Sequence, residues 1–457
     1  MKKDKTGYRN VSENPCNMCM PLGGILALKG IEGSMVLLHG SQGCATYMRR
    51  TISEHYNEPI DVASTSLNEK GTVFGGEDNF KKGLDNIRLV YQPEIIGVLT
   101  TCLAETIGED IERMAKEYIK DREIEGFPII SAPTPGYAGT QAEGYFSTLR
   151  KIIMGLAKET KKNKKINVIV PHISTADLRE IKRILASMDI EAILLPDYSD
   201  TLDAPYTKTY ERIVSGGTKV QDIASMSGSQ ATIEMAEAID DVISPGAFLK
   251  QEYGVPLYRI PLPVGLKNTD IFINTLKQIT GSVIPLDLSA ERGRLLDGMI
   301  DSHKHNFQGI AAIFGEPEHV LSAVTLCMEN GIFPQVIATG SKTHRLEDLL
   351  YESLAESEQD YHIMNDTDFS HIREKCKNSG VNIAIGHSEG KYLTEKEGIP
   401  LVRYGFPIHD RIGGQRLLSV GYTGSLSFLD RITNTLLDHK YINYRSTMLQ
   451  KYYDTRS

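Results

Sequence analysis

Short apolar runs that end in Gly, Pro or Ser turns alternate along this chain with stretches of helical period. The runs Met35–Leu38, Ile95–Leu99, Pro128–Ser131, Ile166–Val170, Ala192–Leu195, Val242–Ser244, Ile310–Phe314, Gln335–Ala338, Val381–Ile385 and Leu401–Tyr404 are candidate strands. Several are continuously apolar and do not alternate with polar residues. Parallel strands covered on both faces need that pattern. Strands interleaved with helices in turn imply open, mainly parallel sheets and an α/β fold.

The pattern changes texture twice. A Lys-rich stretch occupies 160–165, and a charged helical segment runs from Leu288 to Phe307 before a new strand begins. These breaks divide the chain into 1–160, 161–300 and 301–457, each of ordinary domain size. The tail from Tyr422 reads as a polar helix that packs across domains or onto a partner.

The 457 residues, 40% of them hydrophobic, can fill more than one core. Net charge is −9, and the one compact basic run, Lys161 to Lys165, is broken by Asn163. That argues against a nucleic-acid partner, which calls for a basic stripe. No apolar stretch reaches the 18 or so residues of a membrane span, and the first fifteen residues lack the apolar core of a secretory signal. A cytoplasmic location follows as an expectation. Six cysteines there stay reduced and serve as core filler, nucleophiles or metal ligands.

Their placement separates these roles. Cys19 opens Cys-Met-Pro-Leu-Gly-Gly, Cys44 ends His-Gly-Ser-Gln-Gly-Cys just past the first strand, and Cys102 ends Thr-Thr-Cys just past the second. Ligands of open parallel sheets collect beyond the carboxyl ends of strands. Thiolates there, flanked by glycine, suit iron, which takes soft sulfur donors. Cys327 and Cys376 lie in helix-like segments and read as core. Cys16 and Cys19 form a Cys-x-x-Cys pair with no second pair to complete a zinc site. Three thiolates are one short of a usual cluster set, so either Cys16 or another subunit supplies more. There is no Walker A sequence and no Gly-x-Gly-x-x-Gly after a strand, so ATP and NAD are not expected ligands.

From Asn14 to Asp110 the chain resembles the β-type subunits of nitrogenase component 1. The resemblance rests on Cys-x-Pro-x-Gly at Cys19, HGSQGC at His39–Cys44, Tyr47, Arg50, NEP at Asn57–Pro59, FGG at Phe74–Gly76 and TTCLAETIGED at Thr100–Asp110. It continues through ERGRLLD (Glu291–Asp297), FGEPE (Phe314–Glu318) and RYGFPIHDR (Arg403–Arg411). It implies three Rossmann-like domains and an α2β2 heterotetramer with an α-type subunit. It also implies an ATP-consuming iron protein that docks on the assembly. In the catalytic members, residues matching Cys19, Cys44 and Cys102 hold half of an eight-iron P-cluster and the α-type subunit holds the rest. In the cofactor-assembly scaffolds a 4Fe-4S cluster sits at the same interface, with the residue matching Cys44 as the β-side ligand. The substrate-reducing cofactor lies in the α-type partner in either case.

The resemblance also bears on a pair of acids. Asp297 and Asp301 are four apart on an expected helix, so they share a face. In catalytic members a divalent cation between subunits is held by carboxylates matching Glu58, Asp297 and Asp301. As for the branch of the family, the short start, Gly136 in TPGYAG (Thr134–Gly139) and the run PLPVGLKNTD (Pro261–Asp270) lean toward the scaffold for iron–molybdenum cofactor biosynthesis. The scaffold is therefore the expected branch, and the retained Cys19 and Cys102 point to the alternative, a catalytic β subunit either of nitrogenase or of a nitrogenase-like reductase such as methylthio-alkane reductase.

Overall fold

The structure is a computed structural model and describes residues 16–158, 160–355 and 360–453. Its strands form three sheets in which every pairing is parallel. The first holds β1 (Ser34–His39), β2 (Ala63–Ser64), β3 (Ile95–Thr100) and β4 (Ile129–Ala132) in the order β2-β1-β3-β4. The second holds β5 (Ile166–Ile169), β6 (Ala192–Leu195), β7 (Ala231–Glu234) and β8 (Leu257–Arg259) in the order β6-β5-β7-β8. The third holds β9 (Ile310–Phe314), β10 (Phe333–Ala338), β11 (His362–Met364), β12 (Ile383–Gly386) and β13 (Leu401–Arg403) in the order β11-β10-β9-β12-β13. This is the expected α/β architecture with Rossmann-like parallel sheets. β1, β3 and β5 are buried at every position, which is why they read as unbroken apolar runs.

One expected strand is absent. Val242–Ser244 forms a turn in which Val242 is 80% exposed, and Ser244 caps the helix Pro245–Tyr253 by accepting from Ala247 N. The strand of that region is β7, whose sequence Ala-Thr-Ile-Glu has only two apolar residues. Its Glu234 is fully buried, accepting from Ser244 Oγ (2.7 Å), Gly246 N (2.8 Å) and Arg259 Nε (3.0 Å). A buried carboxylate with a guanidinium and two further donors is satisfied, so this strand tolerates a charge that its sequence advertises as exposed. The unanticipated β2, β8 and β11 are edge strands of two or three residues, too short to carry a period.

Polar contacts weld the second and third sheets' domains together. Asp177, on the helix Thr175–Ser187, accepts from Ser419 N (2.7 Å), Ser419 Oγ (2.9 Å) and Val420 N (2.9 Å). These residues lead into the long helix Gly421–Tyr453, which packs along Leu286–Asn306. Position 300 falls inside the latter helix. Tyr422 Oη donates to Asp270 and Thr433 Oγ1 to Asn306, so the tail ties across domains as its pattern suggests. Among the described residues, no helix is long and apolar enough to cross a membrane.

The interior also stores a pH dependence. Glu316 Oε2 is buried without a hydrogen-bond partner, and burial, with Glu143 second, pushes the Glu316 carboxyl up to about 8. A carboxyl whose folded pKa exceeds its unfolded value binds more protons folded than unfolded across that window. Its stabilising contribution is complete below the unfolded value near 4.5 and is lost as pH rises through about 8. Glu316→Gln should therefore flatten the fall in urea-unfolding midpoint between pH 6 and pH 8.5. An unchanged slope would assign that fall to other groups, Glu318 first among them.

Candidate metal-cluster site

In the first sheet the chain leaves β1 toward β2 on one side and returns to β3 on the other. The crevice between the carboxyl ends of β1 and β3 is thus the topological switch point, the usual ligand position of such sheets. Cys44 lies in the first turn of the helix Gln42–Tyr56 after β1, and Cys102 opens the helix Cys102–Thr106 after β3.

Cys19 arrives from a different direction. It caps the helix Met20–Lys29 and bridges to Thr140, the cap of Gln141–Leu156. The Cys-x-Pro-x-Gly pattern has a packing reason. Pro21 takes a first-turn position that needs no amide donor. A Cβ on Gly23 would fall 1.9 Å from Gln141 O, so only glycine lets the two helices approach this closely.

The remaining motifs buttress the thiols. His39 ends β1 fully buried, its Nδ1 at 3.1 Å from Thr65 Oγ1 and its Nε2 at 3.3 Å from Glu109 Oε2. Glu109 also accepts from Gly76 N at 2.8 Å, so HGSQGC, FGG and TTCLAETIGED share one carboxylate. Burial lowers the His39 pKa and Glu109 opposes that. Thr100 Oγ1 donates to Glu105 (2.7 Å) and accepts from Thr134 N (2.9 Å), which fixes the TPGYAG loop over the TTC turn.

Cys19 and Cys102 lie against the same loop, and Cys44 is near enough for its charge to act on Cys19. Gly136 N donates to Cys102 Sγ at 3.2 Å, and a Cβ on Gly136 would stand 2.5 Å from Cys19 Sγ and 3.4 Å from Cys102 Sγ. Burial pushes the Cys19 thiol up to about 11, and Cys102 and Cys44 add to this by charge repulsion. The Ser41 hydroxyl donates to Cys44 Sγ at 3.6 Å. Cys102 is exposed and Cys19 and Cys44 are partly buried, so the sulfurs open toward solvent at the surface of one chain.

This donor set fits an iron–sulfur cluster better than a lone ion. Among the described residues, no three Cys, His, Asp or Glu side chains close around one ion position. A cluster takes each thiolate on a separate iron, so its ligand sulfurs stand further apart. Three thiols at an open surface leave the other face for another chain's ligands.

The other cysteines are elsewhere. Cys16 is buried in the core of the third sheet with Phe314 and Phe369, its Sγ 3.7 Å from His387 Nε2. Cys327 and Cys376 are buried, as their helical context suggests. Of the candidate cation ligands, Glu58 follows the helix Gln42–Tyr56, and burial, with the Asp203 charge second, raises its pKa against the opposing pull of Arg416. Asp297 and Asp301 are exposed on Leu286–Asn306, and among the described residues no three-carboxylate group forms. Sequence reasoning passed over His39 and Glu109 as site residues. Their presence in the same motifs as Cys44 and Cys102 was the available signal.

Comparison with known proteins bears on the family and the fold. A sequence model of the nitrogenase component 1 type oxidoreductase family matches residues 19–437. The nitrogenase molybdenum-iron protein beta chain of Clostridium pasteurianum is 36% identical over 93% of each chain. That of Methanococcus maripaludis is 34% identical over 99% of each. A nitrogenase vanadium-iron protein beta chain from Trichormus variabilis is 31% identical over 98% of each. Among solved structures, a chain of nitrogenase Cp1 at pH 6.5 superposes with a TM-score of 0.91 at 35% identity, covering 96% of both chains.

Proposed function

The chain belongs to the nitrogenase component 1 type oxidoreductase family as a β-type subunit, and from that membership we propose that it is the electron-relaying half of a catalytic reductase. Cys19, Cys44 and Cys102 hold one side of an eight-iron cluster, and an α-type subunit holds the other. The observation that carries this reading is the convergence of all three thiols at the switch point of the first sheet. A 4Fe-4S scaffold site needs Cys44 alone from this side and gives no reason to aim Cys19 and Cys102 at the same space.

When bound, such a cluster supplies electron storage and transfer. The residues of this chain do the rest. The three thiols give up their protons on binding, Gly136 N–H and Ser41 O–H donate toward sulfur, and the His39–Glu109 pair holds the two strand ends in register. The assembly is an α2β2 heterotetramer served by an ATP-dependent iron protein, with the substrate-reducing cofactor in the α-type partner. Glu58 of one copy, facing Asp297 and Asp301 of a second copy, would supply the carboxylates for a divalent cation between subunits. A single chain does not gather them.

A second reading, a scaffold for iron–molybdenum cofactor biosynthesis, is favoured by Gly136 in TPGYAG and by the PLPVGLKNTD run. Iron counting separates the two. The complex with the α-type partner, purified without oxygen, should carry about eight irons per interfacial site beyond the partner's own cofactor. A count of four at that site would overturn the eight-iron reading in favour of a scaffold or a simpler reductase.

A further inference from the structure

A long irregular segment separates β6 from the helix Val220–Ser225, for residues 196–219 hold neither helix nor strand. Loops of that length inside a compact fold are uncommon and usually serve a function. This one leaves the second sheet's domain and lies against the first. Thr201 Oγ1 donates to Lys29 O (2.7 Å), Tyr210 Oη to Asp61 (3.4 Å) and Arg212 Nη1 to Val90 O (2.6 Å). Between the loop and the first domain lies a cavity of about 580 Å³, within the size range of small-molecule sites. Buried Ile31 and Met35 line it, and so does Lys29.

Lys29 ends the helix that begins beside Cys19. Among the described residues its ammonium makes no hydrogen bond and no ion pair. The carboxylate whose charge acts on it, Asp61, is already engaged by Tyr91 Oη (3.1 Å), Tyr210 Oη and Arg49 (3.8 Å). Burial pushes the Lys29 ammonium down to about 8, against the opposing pull of Asp61. At pH 7.5 such a lysine holds on the order of a hundred times more neutral amine than one of ordinary pKa. A neutral amine is a poor anion binder and a good nucleophile toward carbonyl carbon, the property that Schiff-base lysines gain from burial. Arg212 suggests what else the carbonyl compound carries. It lines the same cavity, spends one donor on Val90 and has no carboxylate partner among the described residues. A guanidinium with donors to spare suits a carboxylate.

We propose that this cavity binds a small oxo acid, whose carbonyl carbon Lys29 Nζ captures as an imine while Arg212 meets the carboxylate. The lone pair on Nζ forms the new bond to carbon and the carbon–oxygen bond breaks. The carbonyl oxygen leaves as water with the two protons that the amine gives up, and nothing is oxidised or reduced. The site stands apart from the thiols and does not depend on what they hold.

The test uses the full complex with its α-type partner at pH 7.5. It is incubated with millimolar pyruvate, levulinate, acetone or lactate, and any imine is fixed as a secondary amine with borohydride. Peptide mass spectrometry then reads the adduct at each lysine. With pyruvate or levulinate, Lys29 should be labelled at least tenfold more than exposed Lys250. Acetone, a carbonyl without a carboxylate, should label Lys29 at least fivefold less, and lactate, a carboxylate without a carbonyl, should leave no adduct. Arg212→Gln alters an exposed side chain, so the fold should stand. It should lower oxo-acid labelling of Lys29 at least fivefold and leave acetone labelling unchanged. Lys29→Arg should carry no adduct at position 29. Labelling of Lys29 by neither oxo acid above the level of Lys250 overturns the proposal. So does labelling by acetone as strong as by the oxo acids, or an Arg212→Gln complex labelled like the wild type. Iron content plays no part in this readout, so its failure is distinct from failure of the cluster reading.

Discussion

Replacing Cys44 by alanine should abolish the visible iron–sulfur absorption of the complex and leave less than about a tenth of its interfacial iron, since a cluster that loses a thiolate ligand loses a bond no neighbouring oxygen or nitrogen replaces well. Cys44 is the strongest choice among the three thiols. It sits beside the switch point of the first sheet, directly after β1, on the first turn of a fifteen-residue helix that fixes its direction. It is expected as a ligand whether the site holds four irons or eight. It is also only partly buried, so the metal-free fold should survive its removal with little change. Cys327→Ala provides the contrast. That thiol is fully buried and held protonated by burial, so the variant should lose stability by about 1–2 kcal/mol through the lost packing yet keep its iron. Unchanged absorption in Cys44→Ala would leave a metal-free α/β ligand-binding module as the better description of this chain.

The second large effect is expected far from the thiols. Glu234→Ala should destabilise the second sheet's domain by about 3–5 kcal/mol, the range found when one partner of a buried ion pair is removed. Arg259 Nε would lose its acceptor while its side chain remains only 16% exposed, and Ser244 Oγ and Gly246 N would lose theirs. Asp241, 74% exposed, still faces Arg259 at 2.6 Å, which keeps the loss from the top of the range. Glu234→Ala with Arg259→Ala should cost less than the sum of the two single changes, because the pair is lost together. Urea unfolding followed through the amide exchange of β7 reads this out. A loss below about 1 kcal/mol would mean that the carboxylate is replaced by water and that β7 is held by its neighbours alone.

The contrast between these two sites explains which parts of the molecule a reader of the sequence could see. β1, β3 and β5 announce themselves because a parallel strand covered on both faces must be apolar at every position. Cys44 and Cys102 announce themselves because each follows such a strand directly. β7 does not, because its last residue is a glutamate whose burial depends on an arginine 25 positions later and on a serine that had itself looked like strand. The helices on either side of Cys19 could be anticipated one at a time, but their closeness could not, since it depends on Gly23 and Gly144 each meeting the other helix's backbone.

The sequence by itself determined the α/β class, the parallel sheets, most of the buried strands, the family and three thiols as candidate ligands, all from local period and local motif. Only the tertiary structure decided that these thiols lie near one another, that Cys16 belongs to a separate core beside His387, that His39 and Glu109 brace the strand ends, and that Gly136 lies beside the sulfurs of Cys19 and Cys102. The reason is physical. Strand and helix propensities act over a few residues, whereas the meeting of residues 19, 44, 102 and 136 depends on how an entire parallel sheet is wound, and that winding is fixed by the packing of segments distant in sequence.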